Sequence, residues 1–297
     1  MFETKEKKQL FANWLWKVAN ADGNLAKEEI QILNNIGMSL GLQEIKYQEL
    51  GSVEIDDVEK TLTSFFYSLL DNFADKVLVV KPNIAFFEPF GIAGHTALKN
   101  IISYAQKKEI PVILDAKRAD IGNTSKAYAK AVFEELNADA VTLAPYMGTD
   151  SLSPFFQYKD KGFFVLARTS NPGSCDFQML KLENGQYLYE AVINKLIDWS
   201  KEFDTPIGAV AGATHLEELD RIIAMFKNAG NLPLLIPGVG KQGGNLDEVL
   251  ATLKKHDFDL SRVFINSSSK ILYAHKEHEG LSYLEASEIE VNKMMLK

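Results

Sequence analysis

Short apolar runs alternate with longer amphipathic segments along the chain from about residue 52 onward. Seven of these runs have the length and the β-branched or large apolar residues of buried strands. They are Val77–Val80, Pro111–Leu114, Ala140–Leu143, Phe163–Ala167, Ile207–Val210, Leu234–Ile236 and Val263–Ile265. Between them, apolar residues recur at helical spacing, as in Ser125–Leu136 and Tyr187–Phe203. The pattern predicts strands and helices in regular alternation.

A further short run, Val53–Ile55, precedes a predicted helix over Val58–Phe73 and would bring the strands to eight. Eight strand–helix units within roughly 245 residues have the size and rhythm of a TIM (β/α)8 barrel. The main alternative is a doubly wound open sheet, which the lack of a GxGxxG motif after an early strand disfavours. We therefore expect an α/β fold with a TIM barrel over residues 51–297.

The first fifty residues have a different pattern. Leu10–Ala19 and Ile32–Leu40 repeat apolar residues at helical spacing, and the turn NADGNLAKEE separates them. Residues 1–50 are expected to form an N-terminal helical extension. The turn also resembles that of TerB-like helical domains. Its acids and amide lack the spacing of an EF-hand loop, so a solvated turn is favoured over a cation site.

Composition narrows the function. The chain has 297 residues, of which 46% are hydrophobic, so it can bury a sizeable core. The net charge of −8 disfavours nucleic-acid binding through a broad basic face but leaves room for a small anionic substrate. The single cysteine, Cys175, fits a reducing compartment. With neither a secretory signal nor a membrane-spanning apolar run, we expect a cytoplasmic protein without a membrane partner.

Polar side chains follow the predicted strands at their carboxyl ends, where the active sites of TIM barrels lie. Lys81, Asp115, Lys117 and Ser170 all occupy such positions. On an extended backbone Asp115 and Lys117 point to the same side, so both can face one pocket. Asp120 lies on the following loop and can reach elsewhere. Taken singly, a charged residue at a strand end is more often part of a structural ion pair or a solvated loop than a functional group.

The segment PGVGKQGG, Pro237–Gly244, is the strongest single candidate for ligand binding. Its glycines would bare backbone N–H groups just before a helix, and this geometry suits a phosphate. TIM barrels commonly bind phosphate after their seventh and eighth strands. A simple flexible loop is the alternative interpretation.

Five motifs occur in a consistent order between Val77 and Ala274: VVKPNIAFFE, DAKRADIGNT, TLAPYMG, ARTSNPGSCDFQ and LIPGVGKQGG. Together they resemble orotidine 5′-phosphate decarboxylase of the longer bacterial type, and the D-x-K-x-x-D-I-x-x-T element is specific. The resemblance implies conversion of orotidine 5′-monophosphate to UMP in de novo pyrimidine biosynthesis. It also implies that no metal or cofactor takes part, and that the protein is a homodimer with shared active sites.

The resemblance implies roles for individual residues. Lys117 matches the proton donor to C6 of the pyrimidine, Asp115 matches the carboxylate beside the leaving group, and Lys81 completes the charged array. Asp120 matches an acid that enters the site from the neighbouring subunit. The implied substrate-binding residues are Asp56, Ile121, Thr124, Ser170, Pro237, Gln242, Gly243, Gly244 and Lys270.

The chain departs from the family pattern at two places. No motif supplies the usual aspartate of the first strand, for which Asp56 and the adjacent Asp57 are candidates; a helix N-cap explains both acids equally well. In INSSSKILYA, Ser269 stands where the family has a phosphate-binding arginine, and Lys270 follows it. Lysine lacks the bidentate fork of a guanidinium, so we expect weaker phosphate binding.

Two other functions remain as alternatives. A metal-dependent sugar-phosphate decarboxylase shares the D-x-K-x-x-D element, but it needs a carboxylate for Mg²⁺ where this chain has Lys81. A non-catalytic pyrimidine-nucleotide-binding protein, with the N-terminal helices as its partner module, would account for the unclear aspartate and the missing arginine.

Overall fold

The computed structural model describes residues 55–240 and 243–295. The described residues belong to two compact units, one formed by 55–68 and 86–101, the other by 69–85, 102–240 and 243–295. The predicted N-terminal helices, the positions Val53 and Glu54 of the first predicted strand, and a domain boundary near residue 50 lie outside the described residues.

The described chain alternates strands and helices. The strands are β1 (Ile113–Arg118), β2 (Ala140–Leu143), β3 (Gly162–Arg168), β4 (Ile207–Ala211), β5 (Leu234–Pro237) and β6 (Val263–Asn266). The helices are α1 (Ile55–Phe73), α2 (Gly91–Lys107), α3 (Gly122–Lys130), α4 (Thr149–Phe156), α5 (Leu188–Glu202), α6 (Leu216–Asn228), α7 (Leu246–Lys255), α8 (Ser269–Leu272) and α9 (Tyr283–Met294). A π-helical turn, Ala131–Glu135, continues α3. Short 3-10 turns occupy Ile84–Phe86, Glu88–Phe90, Pro172–Asp176, Leu260–Arg262 and Ala274–Lys276.

Strands β1 to β6 form one parallel sheet in which the spatial order follows the order along the chain. Every strand therefore lies beside the next one, and a helix provides each crossover. A doubly wound sheet reverses its strand order at a switch point, whereas consecutive parallel order is the arrangement of a TIM barrel. The described sheet has the order expected for a barrel and excludes the doubly wound alternative.

The core of the sheet is built in a layer, with one side chain from each of the first five strands. The members are Ile113, Ala140, Phe164, Val210 and Leu235, all buried. Phe264 of β6 extends the layer through an edge contact with Phe164, with ring centroids 5.5 Å apart. Apolar layers of this kind fill the interior of barrels and fix the strands that carry the site.

The predicted strand Val77–Val80 does not form a regular strand. Pairing with β1 is instead displaced toward the carboxyl end and is limited to two isolated parallel bridges, at Val80 and Asn83. Pro82 lies between them and has no N–H to donate, so a continuous ladder is interrupted there. Leu78 is 82% exposed, which is the opposite of what a buried strand requires.

The prediction for Ile55 was also wrong, because this residue begins helix α1 rather than ending a strand. In the smaller unit, α1 is joined to α2 by a hydrogen bond of 2.7 Å from the Asn100 amide to the Glu59 carboxylate. Within the described residues, every helix is too short or too polar to cross a membrane.

Candidate active site

The carboxylate of Asp115 lies between two ammonium groups near the end of β1. Lys81 Nζ lies 2.7 Å from Oδ2, and Lys117 Nζ lies 2.6 Å from Oδ1. Lys81 reaches this position because the bridge at Asn83 aligns its segment with Asp115. The structure thus brings together three of the predicted site residues, and each oxygen of the carboxylate has its own cation.

A residue that the sequence analysis missed completes this arrangement. Thr142 of β2 donates its hydroxyl to Asp115 Oδ1 at 2.9 Å and accepts the N–H groups of Ala116 and Lys117 at 3.0 Å each. It therefore ties the backbone of β1 to the functional carboxylate. The available signal was a single polar residue inside the buried run Ala140–Leu143.

The backbone at Lys117 was expected to be extended, but it is not. Its φ is 47°, in the left-handed region, and the register between β1 and β2 shifts between Leu114 and Arg118. A non-glycine residue in this region costs about 1–2 kcal/mol and persists where the surroundings enforce it. The contact with Thr142 and the ion pair with Asp115 are two such enforcing interactions.

The two lysines differ in how open they are. The side chain of Lys81 is 12% exposed and that of Lys117 is 47% exposed, so Lys117 is the one placed to meet a ligand. Burial raises the pKa of the Asp115 carboxyl, but the charge of Lys81 and the hydrogen bonds from both lysines outweigh it, so this pKa lies below its usual value. Asp115 is therefore an anion at neutral pH, and this side of the site carries alternating charges.

Asp120 lies beyond β1 and has different partners. Its N–H donates to Ser151 Oγ at 3.2 Å, and its own Oδ1 accepts the N–H of Ile121 at 2.7 Å. Ile121 is 53% exposed, and Thr124 on the first turns of α3 is exposed as well. Ile121 and Thr124 thus reach the surface just after β1, while Asp120 is half-buried.

Ser170 follows β3 and is closely packed against the end of β4. A Cβ on Gly212 would lie 2.8 Å from Ser170 N and 2.9 Å from its Cα, so only glycine fits there. The hydroxyl of Thr214 donates to the Ser170 carbonyl at 3.4 Å. Glycine at position 212 is thus explained by the close approach of two backbones at the carboxyl edge of the sheet.

The glycine loop after β5 is folded on itself. Gly240 N–H donates to the Gly244 carbonyl at 3.0 Å, Gly243 N–H to the Gly240 carbonyl at 2.9 Å, and Gly244 N–H to the Gly238 carbonyl at 3.1 Å. The expectation of bare N–H groups is therefore wrong at these three positions. Positive φ values at Gly238, Gly240 and Gly243 permit these tight turns.

Other predicted members of this region are found beside the loop. Pro237 ends β5, and its carbonyl accepts the N–H of Ala213 at 2.9 Å. A Cβ on Gly244 would lie 2.6 Å from the Ala213 Cβ, so Gly244 packs against the end of β4. Gln242 lies outside the described residues, and its predicted role stays a prediction.

Lys270 packs against the glycine loop through its aliphatic stem. A Cβ on Gly240 would lie 2.8 Å from Lys270 Cδ. The Lys270 ammonium lies 3.7 Å from Glu290 Oε2, and its side chain is 40% exposed. Glu290 is 3% exposed and its other oxygen also pairs with His278 and Lys293, at 3.0 and 2.6 Å. Sequence reasoning missed Glu290, because no local pattern links α9 to Lys270.

Asp56 belongs to the first turn of α1. Its predicted place at the end of a first strand is therefore wrong. The contact of its side chain with a substrate stays a prediction.

Comparison with known proteins gives a consistent result. A model of the orotidine 5′-phosphate decarboxylase / HUMPS family matches residues 57–280. The orotidine 5′-phosphate decarboxylase of Herpetosiphon aurantiacus is 43% identical over 227 residues, which cover 76% of this chain and 79% of that protein. The one from Roseiflexus sp. strain RS-1 is 44% identical over 212 residues, covering 71% and 75%.

A solved structure is similar as well. The OMP decarboxylase of Leishmania donovani has a TM-score of 0.66 and 35% sequence identity, and the match covers 80% of this chain and 88% of that one. The family match, residues 57–280, contains Lys81, Asp115, Lys117 and Lys270. The charged array and the glycine loop both lie within the matched region.

Proposed function

The chain belongs to the orotidine 5′-phosphate decarboxylase / HUMPS family, and on this basis we propose how its residues carry out the decarboxylation of orotidine 5′-monophosphate. It is a decarboxylase of pyrimidine biosynthesis that forms UMP, as the names of its relatives indicate. The observation that carries the proposal for the site is Asp115 held between the Lys81 and Lys117 ammonium groups.

The reaction needs a proton donor at the carbon that loses CO2. When the bond from C6 to the carboxylate breaks, its electron pair stays on C6, and a proton must be delivered there to give UMP. Lys117 supplies this proton from Nζ, and its ammonium charge stabilises the developing carbanion before transfer. The half-exposed side chain of Lys117 supports this role, because it is open to a ligand.

Asp115 acts on the leaving carboxylate. As a fixed anion it repels the substrate carboxylate, and this repulsion disappears as CO2 departs. The lowered pKa of Asp115 supports the role, because a neutral acid would not repel. Lys81 holds the carboxylate from its other side. The protonation of these groups is coupled, so a pH–rate profile would report the array rather than one residue.

The remaining substrate contacts follow the same edge of the sheet. Ser170 reads the pyrimidine amide edge, and Pro237, Gly243 and Gly244 line the phosphate site together with Gln242. Lys270 supplies the positive charge in place of the missing arginine. Its stem already lies against Gly240, and its ammonium is partly exposed, so it can turn toward a phosphate. Asp56 is the proposed ribose contact.

The protein acts as a homodimer in which Asp120 of one subunit enters the site of the other, with Ile121 and Thr124 beside it. Two observations support this arrangement. Among the described residues, the hydrogen bonds of Asp120 are to Ser151 and Ile121, and none joins it to Lys81 or Lys117. Ile121 is an exposed large apolar residue, which a subunit interface would cover.

The proposal extends to the whole chain. A TIM-barrel fold for the described part of the chain is supported by the consecutive parallel order of β1 to β6. The helical extension over residues 1–50, with its TerB-like turn, lies outside the described residues and stays a prediction. We place the enzyme in the cytoplasm, in line with its single cysteine.

The test is direct. Purified protein is mixed with orotidine 5′-monophosphate, and the loss of its absorbance is followed while UMP is quantified by chromatography. Turnover to UMP is the expected result, and EDTA should leave the rate unchanged. Tight UMP binding without turnover would overturn the enzymatic function and leave a nucleotide-binding protein.

A further inference from the structure

Arg168 is a buried cation next to the proposed base-binding loop. It ends β3, directly before Thr169 and Ser170, and it is 2% exposed. One terminal nitrogen of its guanidinium donates to the Ser174 hydroxyl and to the Thr169 carbonyl, the latter at 3.2 Å. The other donates to Glu218 Oε1 at 3.2 Å. A single side chain thus links the loop that carries Ser170 to the first turn of α6.

The loop is fixed at both of its ends. Gln178 accepts the Thr169 N–H at 2.8 Å through its side-chain carbonyl and returns a hydrogen bond to the Thr169 hydroxyl at 3.0 Å. The Arg168 carbonyl accepts the Gly212 N–H at 2.7 Å. Ser170 therefore belongs to a loop that hydrogen bonds hold in place, and it packs against Gly212 at the end of β4. A shift of Arg168 would move the backbone of Ser170.

The ion pair between Arg168 and Glu218 by itself contributes little to the stability of the folded protein. Removing a guanidinium and most of a carboxylate from water costs solvation free energy, and such pairs are often no better than apolar residues of the same volume. Arg168 Nε has no hydrogen-bond partner among the described residues, so the desolvation is only partly offset. The specific, directional contacts of Arg168 instead fix a conformation.

His215 lies near Arg168 and Glu218, and its protonation affects the buried cation. Burial lowers the pKa of its imidazole, and the charge of Arg168 lowers it further, while Glu218 opposes both. A neutral imidazole adds no second positive charge beside Arg168. The carboxylate of Glu218 is therefore the counter-ion that keeps the guanidinium in place.

We propose that Arg168 and Glu218 are positioning residues for base recognition: the ion pair between the buried Arg168 and the partly buried Glu218 holds Ser170 in register with the pyrimidine edge of the nucleotide. Neither side chain touches the substrate. The inference rests on the proposed function in one respect, namely that Ser170 contacts the base. It predicts that breaking the pair weakens binding of the base and leaves binding of the sugar phosphate unchanged.

The experiment compares two ligands on four proteins. UMP contains base, ribose and phosphate, whereas ribose 5-phosphate lacks the base. Dissociation constants are measured by calorimetry for wild type, Glu218→Gln, Arg168→Lys and the matched control Glu217→Gln, an exposed acid of the same helical turn. Glu218→Gln removes the charge, and Arg168→Lys keeps it but cannot reach Ser174 and Glu218 together.

We expect both pair variants to bind UMP about tenfold more weakly, because small displacements of a positioning group are costly. Their affinity for ribose 5-phosphate and the behaviour of Glu217→Gln should stay within about twofold of wild type on the same grounds. Equal weakening of both ligands, or unchanged UMP binding by folded Glu218→Gln, would overturn the proposal. Thermal unfolding identifies a variant that has lost its fold. If Arg168→Lys does not fold, the proposal is judged on Glu218→Gln, which is the milder change.

A second measurement separates positioning from general destabilisation. In a Ser170→Ala background the loss of UMP affinity on Glu218→Gln should vanish, because the group that the pair positions is gone. An additive loss would contradict the proposal. Failure of the reaction itself is distinguishable: a wild type that binds UMP without turnover refutes the proposed activity, while the coupling between Glu218 and Ser170 is still measured. A wild type that fails to bind UMP refutes both.

Discussion

The Nζ atom of Lys117 lies 2.6 Å from Oδ1 of Asp115, two residues earlier, while the backbone at Lys117 is left-handed with φ of 47°. The contact joins the proposed proton donor to the anion that repels the leaving group. Strain is thus retained where the chemistry takes place, as is common at functional sites. The geometry of this pair leads directly to the first two predictions.

Replacing Lys117 by alanine should abolish turnover. The variant lacks the proton donor and the charge that stabilises the carbanion, so kcat should fall by at least about 10²–10⁴-fold. UMP binding and the thermal unfolding temperature should change little, because the Lys117 side chain is half exposed. The matched control is Lys126→Ala, an exposed lysine on α3. Substantial residual activity in Lys117→Ala would show that another group donates the proton.

Replacing Asp115 by asparagine should destabilise the protein in a pH-dependent way. The pKa of Asp115 is lowered on folding, so its ionised form contributes stability above the unfolded pKa of about 3.9 and loses it as the pH falls through the folded pKa. At neutral pH the variant leaves Lys81 and Lys117 without their anion, at a cost of about 3 kcal/mol.

Urea unfolding at about pH 7 and about pH 3 measures this difference. The gap between wild type and Asp115→Asn should shrink at the lower pH. The control is Asp75→Asn, an exposed acid in the same unit, which should track wild type at both values. A gap that stays constant with pH would show that the Asp115 charge does not stabilise the folded state.

The strands were predictable where burial alone determines them. Ala140–Leu143 has the predicted bounds, because an apolar run between two amphipathic helices has one stable place in a parallel sheet. Val77–Val80 failed, since its apolar residues suggested a strand while Pro82 interrupts the ladder. Pro82, which has no backbone N–H to donate, outweighed the apolar pattern of Val77–Val80.

The charged array was predictable, and its supports were not. Lys81, Asp115 and Lys117 could be identified from the motifs in which they occur. Thr142 contacts Asp115, which lies 27 residues earlier in the chain, and Glu290 contacts Lys270, which lies 20 residues earlier. Local sequence spacing does not encode contacts at such separations. The folded glycine loop likewise depends on hydrogen bonds among its own carbonyls, which its composition allows but does not dictate.

A shared active site predicts complementation between inactive subunits. Asp120→Asn and Lys117→Ala should each be inactive alone. After equal amounts are mixed and the subunits exchange, half of the dimers are hybrids, each with one intact site, so about a quarter of wild-type activity should return. The control mixes Asp120→Asn with the double variant Asp120→Asn/Lys117→Ala, which cannot form an intact site. Activity that stays absent in the first mixture after proven exchange would refute the shared site.

Placing an arginine at Ser269 should tighten nucleotide binding. Ser269 begins α8, next to Lys270, whose ammonium is drawn toward Glu290 at 3.7 Å. A guanidinium there could bind the phosphate through two hydrogen bonds, so UMP affinity should rise about tenfold. Ser268→Arg adds the same charge one position earlier and controls for net charge. Wild type binding UMP as tightly as Ser269→Arg would show that Lys270 already serves the phosphate fully.

Adding one methyl group at Gly212 should impair recognition of the base. The new Cβ would lie 2.8 Å from Ser170 N and 2.9 Å from Ser170 Cα, and neither backbone atom can move without shifting the loop. KM for orotidine 5′-monophosphate should rise about tenfold or more, while ribose 5-phosphate binds as in wild type. Gly173→Ala is the matched control, because its added Cβ would meet its nearest neighbour, Asn171 Nδ2, at an ordinary 3.5 Å. If Gly212→Ala keeps the wild-type KM in a folded protein, the placement of Ser170 does not limit base recognition.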